Sequence, residues 1–199
     1  SCDYRIGTRK TQFRFPETNI GIFPGLGGTQ RPARIAGLPA ARWAVLAGNF
    51  MDARTAADLG LVTDLVDVTE VDSTISSLDS KGKPAEKYPA TPVNPESKIA
   101  KFANSFYSDE NMDTLLNGGC PDGFDPEDKL VSRQLKSLSR TAPIALRMAS
   151  DLIDAAGTTE LMTGLGQELD KLEAIFSTND ALEGLSALIE GRKPTYQNS

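Results

Sequence analysis

The fold of this chain is decided by the stretch Phe15-Pro16-Glu17-Thr18-Asn19-Ile20-Gly21-Ile22-Phe23-Pro24-Gly25-Leu26-Gly27-Gly28-Thr29-Gln30-Arg31. Glycine contributes no side-chain burial and loses the most conformational freedom on folding, so this density of glycines predicts a sharp turn or a close approach of backbone to a ligand. Thr29 is predicted to cap a helix that runs to about Ala36. The N–H groups at the start of that helix would suit a negative group, although a tight strand-to-helix connection is an open alternative.

Glu17 is the candidate catalytic residue of this stretch. It follows Phe15 and Pro16 and precedes the glycines, among the apolar neighbours Ile22 and Phe23. A carboxylate desolvated by such neighbours has its pKa raised toward neutral pH, as general acid–base catalysis requires. The alternative from spacing alone is a surface glutamate beside a proline.

The composition excludes several kinds of site. The 199 residues contain no histidine and two cysteines, and the formal net charge is −6. The missing histidine removes a Ser-His-Asp triad, a Cys-His pair and a His-ligated zinc, and the two cysteines have no metal-ligand spacing. Cys120 without a histidine is a weak candidate nucleophile. We therefore predict no metal site. We also predict no nucleic-acid partner, because the chain is acidic.

No apolar run approaches the ~20 residues that span a bilayer, and residues 1–5 do not resemble a signal peptide. Two cysteines are also a weak argument for secretion. We therefore predict a cytoplasmic protein without membrane contact.

Three regions follow from the pattern of residues along the chain. Residues 1–67 are predicted to hold strands at 2–6 and 61–66, a helix at 39–47, and a helix at 53–59 capped by Asp52. Residues 68–97 are rich in proline and are predicted to be a largely extended linker or insertion. Residues 98–199 are predicted to be helical, with one helix beginning at Asp125 and Pro126.

Apolar stripes at helical spacing mark the last three helices. The first comprises Ala145, Met148, Ala149, Leu152, Ile153 and Ala156; the second Leu161, Leu165, Leu169, Leu172 and Phe176; the third Leu182, Leu185, Leu188 and Ile189. Each stripe is either core or a surface that faces a partner, and the pattern leaves both alternatives open.

These residues carry a resemblance. The opening stretch resembles the signature segment of the enoyl-CoA hydratase/isomerase (crotonase) family. Two further blocks are similar to that family: Ala44 to Gly48 with Asp52-Ala53 and Gly60-Leu61-Val62, and the tail Phe176 to Asp180 with Glu190-Gly191-Arg192-Lys193-Pro194. The implied fold is α/β, the C-terminal part of a crotonase (ClpP/crotonase-like) ββα spiral core at 1–67, followed by a largely helical segment at 98–199 used in trimer assembly.

The resemblance also implies a function, which is hydration of a 2-enoyl-CoA in fatty-acid β-oxidation. Glu17 matches the second of the family's two catalytic glutamates, and Gly25 matches a glycine whose N–H helps to place the reacting water. Phe23 and Pro24 are implied to contact the substrate. Arg192 and Lys193 are candidate contacts of CoA phosphates, with a solvated tail as the alternative. CoA enters as part of the substrate thioester, no covalently bound cofactor is implied, and the partner is a second copy in a trimer or hexamer.

The family places its first catalytic glutamate and its oxyanion loops before the position of Cys2. We therefore expect an incomplete module, inactive alone and belonging to a longer protein, one form of which is a fusion to a 3-hydroxyacyl-CoA dehydrogenase. Three other functions stay open: a Δ3,Δ2-enoyl-CoA isomerase, which needs one glutamate; a 3-hydroxyacyl-CoA hydrolase similar to 3-hydroxyisobutyryl-CoA hydrolase, suggested by the long region 68–139; and an inactive assembly module.

Overall fold

A computed structural model describes residues 2–84 and 94–199 of the chain. In this part, four two-residue strands form two pairs: β1 (Ile6–Gly7) runs parallel to β4 (Asp64–Leu65), and β2 (Gln12–Phe13) runs antiparallel to β3 (Met51–Asp52). Of the strand predicted at 2–6, only Ile6 lies in a strand, and of the strand predicted at 61–66, only Asp64–Leu65 does. Each of these strands has one pairing partner among the described residues, and each ladder joins two pairs of residues.

Helices make up most of the described chain. The first half contains α1 (Gln30–Ala36), α2 (Leu38–Val45), α3 (Ala53–Asp58) and α4 (Val71–Lys81), with 3-10 turns at Glu17–Ile20 and Val68–Glu70. The second half contains α5 (Lys98–Phe106), α6 (Asp109–Leu116), α7 (Lys129–Leu138), α8 (Pro143–Ala155), α9 (Leu161–Asp170), α10 (Leu172–Phe176) and α11 (Asn179–Glu190).

Helix α4 corrects the prediction that residues 68–97 are largely extended. Asp67 and Glu70 form a capping box that starts this part of the chain as a helix, and Gly82 ends it with a φ of +72°. Leu78 of α4 is buried. Two of the prolines behind the prediction, at positions 89 and 92, lie outside the described residues.

The start of α7 was predicted three residues too early. Asp125 accepts a hydrogen bond from the Glu127 N–H at 2.9 Å within a turn, whereas the Asp128 carboxylate accepts from Leu130 and Val131 and caps the helix. Both aspartates offer the same capping chemistry, but the turn after Pro126 places Asp128, and not Asp125, directly before the first residue of α7. The predicted Asp52 cap of α3 is confirmed, because its carboxylate accepts from the Thr55 N–H at 2.7 Å.

One hydrophobic core joins the two halves of the described chain. Helix α2 lies at its centre and packs on α1, α5 and α8. The core includes Val45, Leu46, Phe106, Tyr107, Leu152 and Ile153, all almost fully buried. The α8 stripe is therefore core. Since α2 precedes residue 67 and α5 follows residue 97, residues 1–67 and 98–199 share this core.

Arg42 adds a polar link across the same core. Its guanidinium is 3% exposed and donates to the Asp154 carboxylate of α8 at 2.7 Å and to the Tyr107 carbonyl at 2.9 Å. It also pairs with Asp109 at the start of α6. A buried cation is stable only when such partners surround it, so Arg42 ties α2 to three segments of the helical half.

Candidate active site

The turn Glu17–Ile20, the Glu17 turn from here on, is held in place by the end of α2 and the start of α8. Thr18 is fully buried, and its hydroxyl lies 3.2 Å from the Val45 carbonyl and 3.3 Å from that of Leu46. The Thr18 carbonyl in turn accepts the Ala142 N–H at 3.1 Å. These bonds fix the backbone on which the Glu17 side chain is carried.

Helix α11 and the tail hold the same turn from another side. Gly21 ends the turn with a φ of +83°, and a Cβ there would overlap the backbone of Asp180 and Ala181. The Tyr196 hydroxyl donates to the Asn19 carbonyl at 2.6 Å. The glycine is therefore needed for two reasons: a left-handed backbone and a close approach to α11.

An open cavity of about 470 Å³ lies beside Glu17. The described residues that line it are Phe15, Glu17, Ile22, Phe23, Pro24, Gly25, Leu26, Gly28, Leu172 and Phe176. Glu17 is the one charged residue in this set. The structure thus brings four of the predicted site residues together: Glu17, Phe23, Pro24 and Gly25.

The surroundings of Glu17 favour its protonated form. Burial raises the pKa of the Glu17 carboxyl, against smaller opposing effects of its own backbone N–H and the Arg14 cation. Its Oε2 atom is shielded from solvent and has no hydrogen-bond partner among the described residues. Arg14 is held aside, since its Nε donates to the Gly48 carbonyl at 2.9 Å and its guanidinium lies 4.7 Å from the centre of the Phe50 ring. A carboxyl with a raised pKa suits general acid–base chemistry, because it gives and takes a proton more readily at a pH above its ordinary range.

Residues 24–29, the glycine loop from here on, form the wall of the cavity next to Glu17. Gly25 lies so close to the Leu172 side chain that a Cβ would come within 2.9 Å of it. Gly28 packs in the same way on Pro24, and a Cβ would come within 2.5 Å of its ring. Gly25 therefore permits contact between the loop and the start of α10, and Gly28 permits a tight turn within the loop; a larger residue would prevent both.

The negative group at the start of α1 is the protein's own Glu168. This fully buried carboxylate of α9 accepts from the Gly27 N–H at 2.6 Å, the Thr29 N–H at 3.1 Å and the Thr29 hydroxyl at 2.5 Å. Thr29 does stand at the N-cap position, but its hydroxyl bonds to Glu168 and makes no side-chain cap bond. The predicted N-cap position of Thr29 is confirmed, but no side-chain cap bond forms, because the Thr29 backbone is helical rather than extended (φ −84°, ψ −30°) and its hydroxyl oxygen accepts from the Gln30 side-chain amide at 3.1 Å.

Sequence reasoning missed Glu168 and its neighbour Gln30. The Gln30 amide is fully buried and donates to the Leu152 carbonyl at 2.6 Å, which ties α1 to α8. A signal for Glu168 exists, since it lies seven residues after Leu161 and therefore on the apolar face of α9. A charged residue on an apolar face is costly unless it is paired, so this position predicts a buried hydrogen-bonded group.

Arg192 and Lys193 are not among the described residues that line this cavity. The Arg192 guanidinium donates to both oxygens of Glu183, at 2.6 and 2.7 Å, and also to Glu190. These bonds lower the pKa of Glu183 to about 2. Both Arg192 and Lys193 are exposed, and their contact with CoA phosphates stays a prediction.

The part of the chain that the structure describes shows neither a metal-binding cluster nor a membrane-spanning helix. Residues 2–84 and 94–199 contain no cluster of three or more histidine, cysteine, aspartate or glutamate residues suited to a metal ion. Within the same residues, every helix is too short or too polar to cross a membrane.

Comparison with known proteins identifies the family of this chain. A family model described as enoyl-CoA hydratase/isomerase matches residues 1–199. The chain belongs to the enoyl-CoA hydratase/isomerase family. Among curated relatives, a probable mitochondrial enoyl-CoA hydratase 2 of Arabidopsis thaliana is 26% identical over 98% of this chain and 46% of that protein. A 2,3-dehydroadipyl-CoA hydratase of Escherichia coli is 26% identical over 98% of this chain and 55% of its own length.

Solved structures show the fold. The chain superposes on an enoyl-CoA hydratase of Rhodobacter sphaeroides with a TM-score of 0.71 at 22% identity, covering 98% of this chain and 56% of that one. A carnitinyl-CoA dehydratase of Mycobacterium thermoresistibile gives 0.72 at 20% identity, over 97% and 56%. The predicted crotonase fold is therefore confirmed. This family member spans about half the length of the curated relatives it matches.

Proposed function

We propose that this protein hydrates 2-enoyl-CoA to 3-hydroxyacyl-CoA, as a step of fatty-acid β-oxidation. The observation that carries the proposal is the Glu17 carboxyl with its raised pKa, in an apolar cavity bounded by the glycine loop. Membership of the family supports a thioester of CoA as the substrate. CoA then enters as part of the substrate, and we propose no separate cofactor.

Glu17 is proposed to act as one of two acid–base residues. Hydration adds the hydroxyl of water to C3 and a proton to C2, so one carboxyl must take a proton and one must give a proton. The apolar wall made by Phe15, Ile22 and Phe23 excludes water from one side of Glu17, which suits a carboxyl that is protonated for part of the cycle. Gly25 is proposed to help place the reacting water through its backbone N–H.

We further propose that sequence preceding Cys2 supplies the first catalytic glutamate and the oxyanion donors. Support comes from the family resemblance and from the half-length match to the curated relatives. Turnover by the 199-residue chain alone would contradict this proposal. A fusion to a 3-hydroxyacyl-CoA dehydrogenase stays a prediction, as does location in the cytoplasm.

The test of the function is a hydration assay on the protein that includes the preceding sequence, with crotonyl-CoA and longer 2-enoyl-CoA esters. Removal of a positioned acid–base group costs about 10²–10⁴ in rate, so Glu17→Gln is expected to lower kcat by that factor. Glu160→Gln is the matched control, because Glu160 is exposed and caps no helix through its side chain. An unchanged rate in Glu17→Gln would sink the role of Glu17.

Isomerisation of a 3-enoyl-CoA is the second candidate. It moves one proton from C2 to C4, and a single carboxyl can take and return that proton. Glu17 is the one carboxyl among the described cavity residues, which favours this candidate. A relative from Mycosarcoma maydis, 27% identical over 98% of this chain and 52% of its own length, is named enoyl-CoA isomerase/hydratase fer4. Offering 3-enoyl-CoA in the same assay separates the two reactions, and CoA release would instead favour the hydrolase.

For assembly, we propose a homo-oligomer, a trimer or hexamer. Support comes from the last two apolar stripes, in which Leu169, Phe176, Leu182, Leu188 and Ile189 are more than half exposed. These residues lie on α9, α10 and α11, which contact one another in sequence order, and large apolar side chains left exposed on adjoining helices favour a surface that a partner covers.

A further inference from the structure

We propose that Glu168 is a positioning residue for the active site. Its buried carboxylate holds the glycine loop in the conformation that places Gly25 beside Glu17. The catalytic consequence rests on the proposed function, whereas the effect on the loop does not.

The carboxylate satisfies three donors that belong to one short segment. Its Oε2 atom accepts the Gly27 N–H, and its Oε1 atom accepts both the N–H and the hydroxyl of Thr29. All three donors precede α1, where N–H groups have no acceptor within the helix. Glu168 therefore pairs groups that would otherwise be buried without partners, and they in turn stabilise its buried charge.

The held segment leads directly to the cavity. Gly27 has a φ of +87°, so the chain reverses sharply there, and Gly28 packs against Pro24. A Cβ at Gly27 would come within 3.2 Å of Leu165 in α9, and one at Gly25 within 2.9 Å of Leu172 in α10, so the loop also lies close against apolar side chains of these two helices. A shift at positions 27 and 29 would thus move Pro24 and Gly25, which line the cavity.

Glu168→Gln tests the bonds with little change in shape. A carboxylate accepts at both oxygens, whereas an amide has one accepting oxygen and one donating nitrogen. In either orientation of the amide, the N–H of Gly27 or of Thr29 faces a donor and loses its acceptor. Glu173→Gln in α10 is the matched control, since it makes the same change on an exposed side chain.

The first measurement is amide hydrogen exchange, which needs no substrate. We expect at least one of the Gly27 and Thr29 amides, the one that loses its acceptor, to exchange at least tenfold faster in Glu168→Gln, with exchange in α8 unchanged, and no change in Glu173→Gln. If Glu168→Gln fails to fold, Thr29→Val is the second variant, because it removes only the Thr29 hydroxyl donor. In Thr29→Val, the Gly27 amide is expected to exchange faster than in the wild type, by a smaller factor. Unchanged exchange in the loop, or a uniform increase across α8 and the loop, would overturn the proposal.

The second measurement is steady-state hydration kinetics. Misplacing a reacting group by ~1 Å costs on the order of 10²-fold, so we expect kcat of Glu168→Gln to fall about tenfold to a hundredfold. KM is expected to stay within threefold, because the apolar residues Phe15, Ile22 and Phe176 are not held by Glu168. A rise in KM with kcat unchanged would contradict a positioning role. A wild-type protein inactive on every enoyl-CoA would instead refute the proposed function. The amide hydrogen-exchange measurement would then decide whether Glu168 holds the glycine loop.

Discussion

At the scale of the residue, Glu17 makes the folded state sensitive to pH. Burial raises its pKa above the ordinary 4.5, so the folded protein holds the Glu17 proton more tightly than the unfolded chain does. The native state then binds more protons than the unfolded state in the window above pH 4.5. The contribution of Glu17 to the free energy of unfolding is therefore fully present below pH 4.5 and is lost as the pH rises through the folded-state pKa.

This linkage predicts the behaviour of Glu17→Gln, which resembles the protonated form at every pH. The variant is expected to melt at a higher temperature than the wild type at pH 7 to 8, and the difference should shrink toward zero near pH 4. Thermal melting followed by circular dichroism across this range measures it. The exposed Glu160→Gln variant should show no such trend, and a gap for Glu17→Gln that widens toward acid pH would refute the argument.

At the scale of the element, α11 positions the Glu17 turn by direct backbone contact. A Cβ at Gly184, in the middle of α11, would overlap the Ile20 carbonyl, so the helix and the turn touch without an intervening side chain. On the same face, Ala181 and Ala187 are also buried. Small residues at this spacing are therefore what allows a helix to lie against the turn that carries Glu17.

Gly184→Ala is expected to force the two elements apart. Overpacking of this kind costs about 1–3 kcal/mol, more than the gain in helix propensity, so the free energy of unfolding should fall. Hydration should fall as well, because Glu17 moves with its turn. Gly166→Ala in α9 is the matched control: a Cβ there meets nothing within 4 Å, so it should stabilise the protein by ~0.5–1 kcal/mol. Denaturant unfolding measures both, and equal effects of the two variants would contradict the contact.

At the scale of the whole molecule, the described chain has apolar side chains on its outside as well as in its core. Leu182 is 67% exposed, Leu188 61% and Ile189 86%. If these residues contact other copies, light scattering should give a mass of three or six chains. The double variant Leu188→Ser/Ile189→Ser should lower that mass, whereas Val68→Ser, which changes an equally exposed residue on a 3-10 turn, should not. A monomeric wild type would refute the assembly.

Prediction from sequence succeeded where the signal is local. The Asp52 cap and the α8 stripe depend on residues within a few positions of each other, and the structure confirms both. The apolar surroundings of Glu17 were also predicted from nearby residues, although Leu172 and Phe176 complete the cavity from a distant segment. Helix α4 was missed because prolines near position 90 outweighed the weaker capping box at 67–70.

The sequence alone determined the family, the location of the candidate acid–base residue and the helical character of the second half. Only the tertiary structure decided which face of α11 is buried, that Arg192 pairs with Glu183, and that Glu168 occupies the start of α1. The physical reason is that each of these depends on contacts between segments far apart in sequence. Glu168 lies 141 residues from Gly27, and no local pattern records which distant donor a buried carboxylate will find.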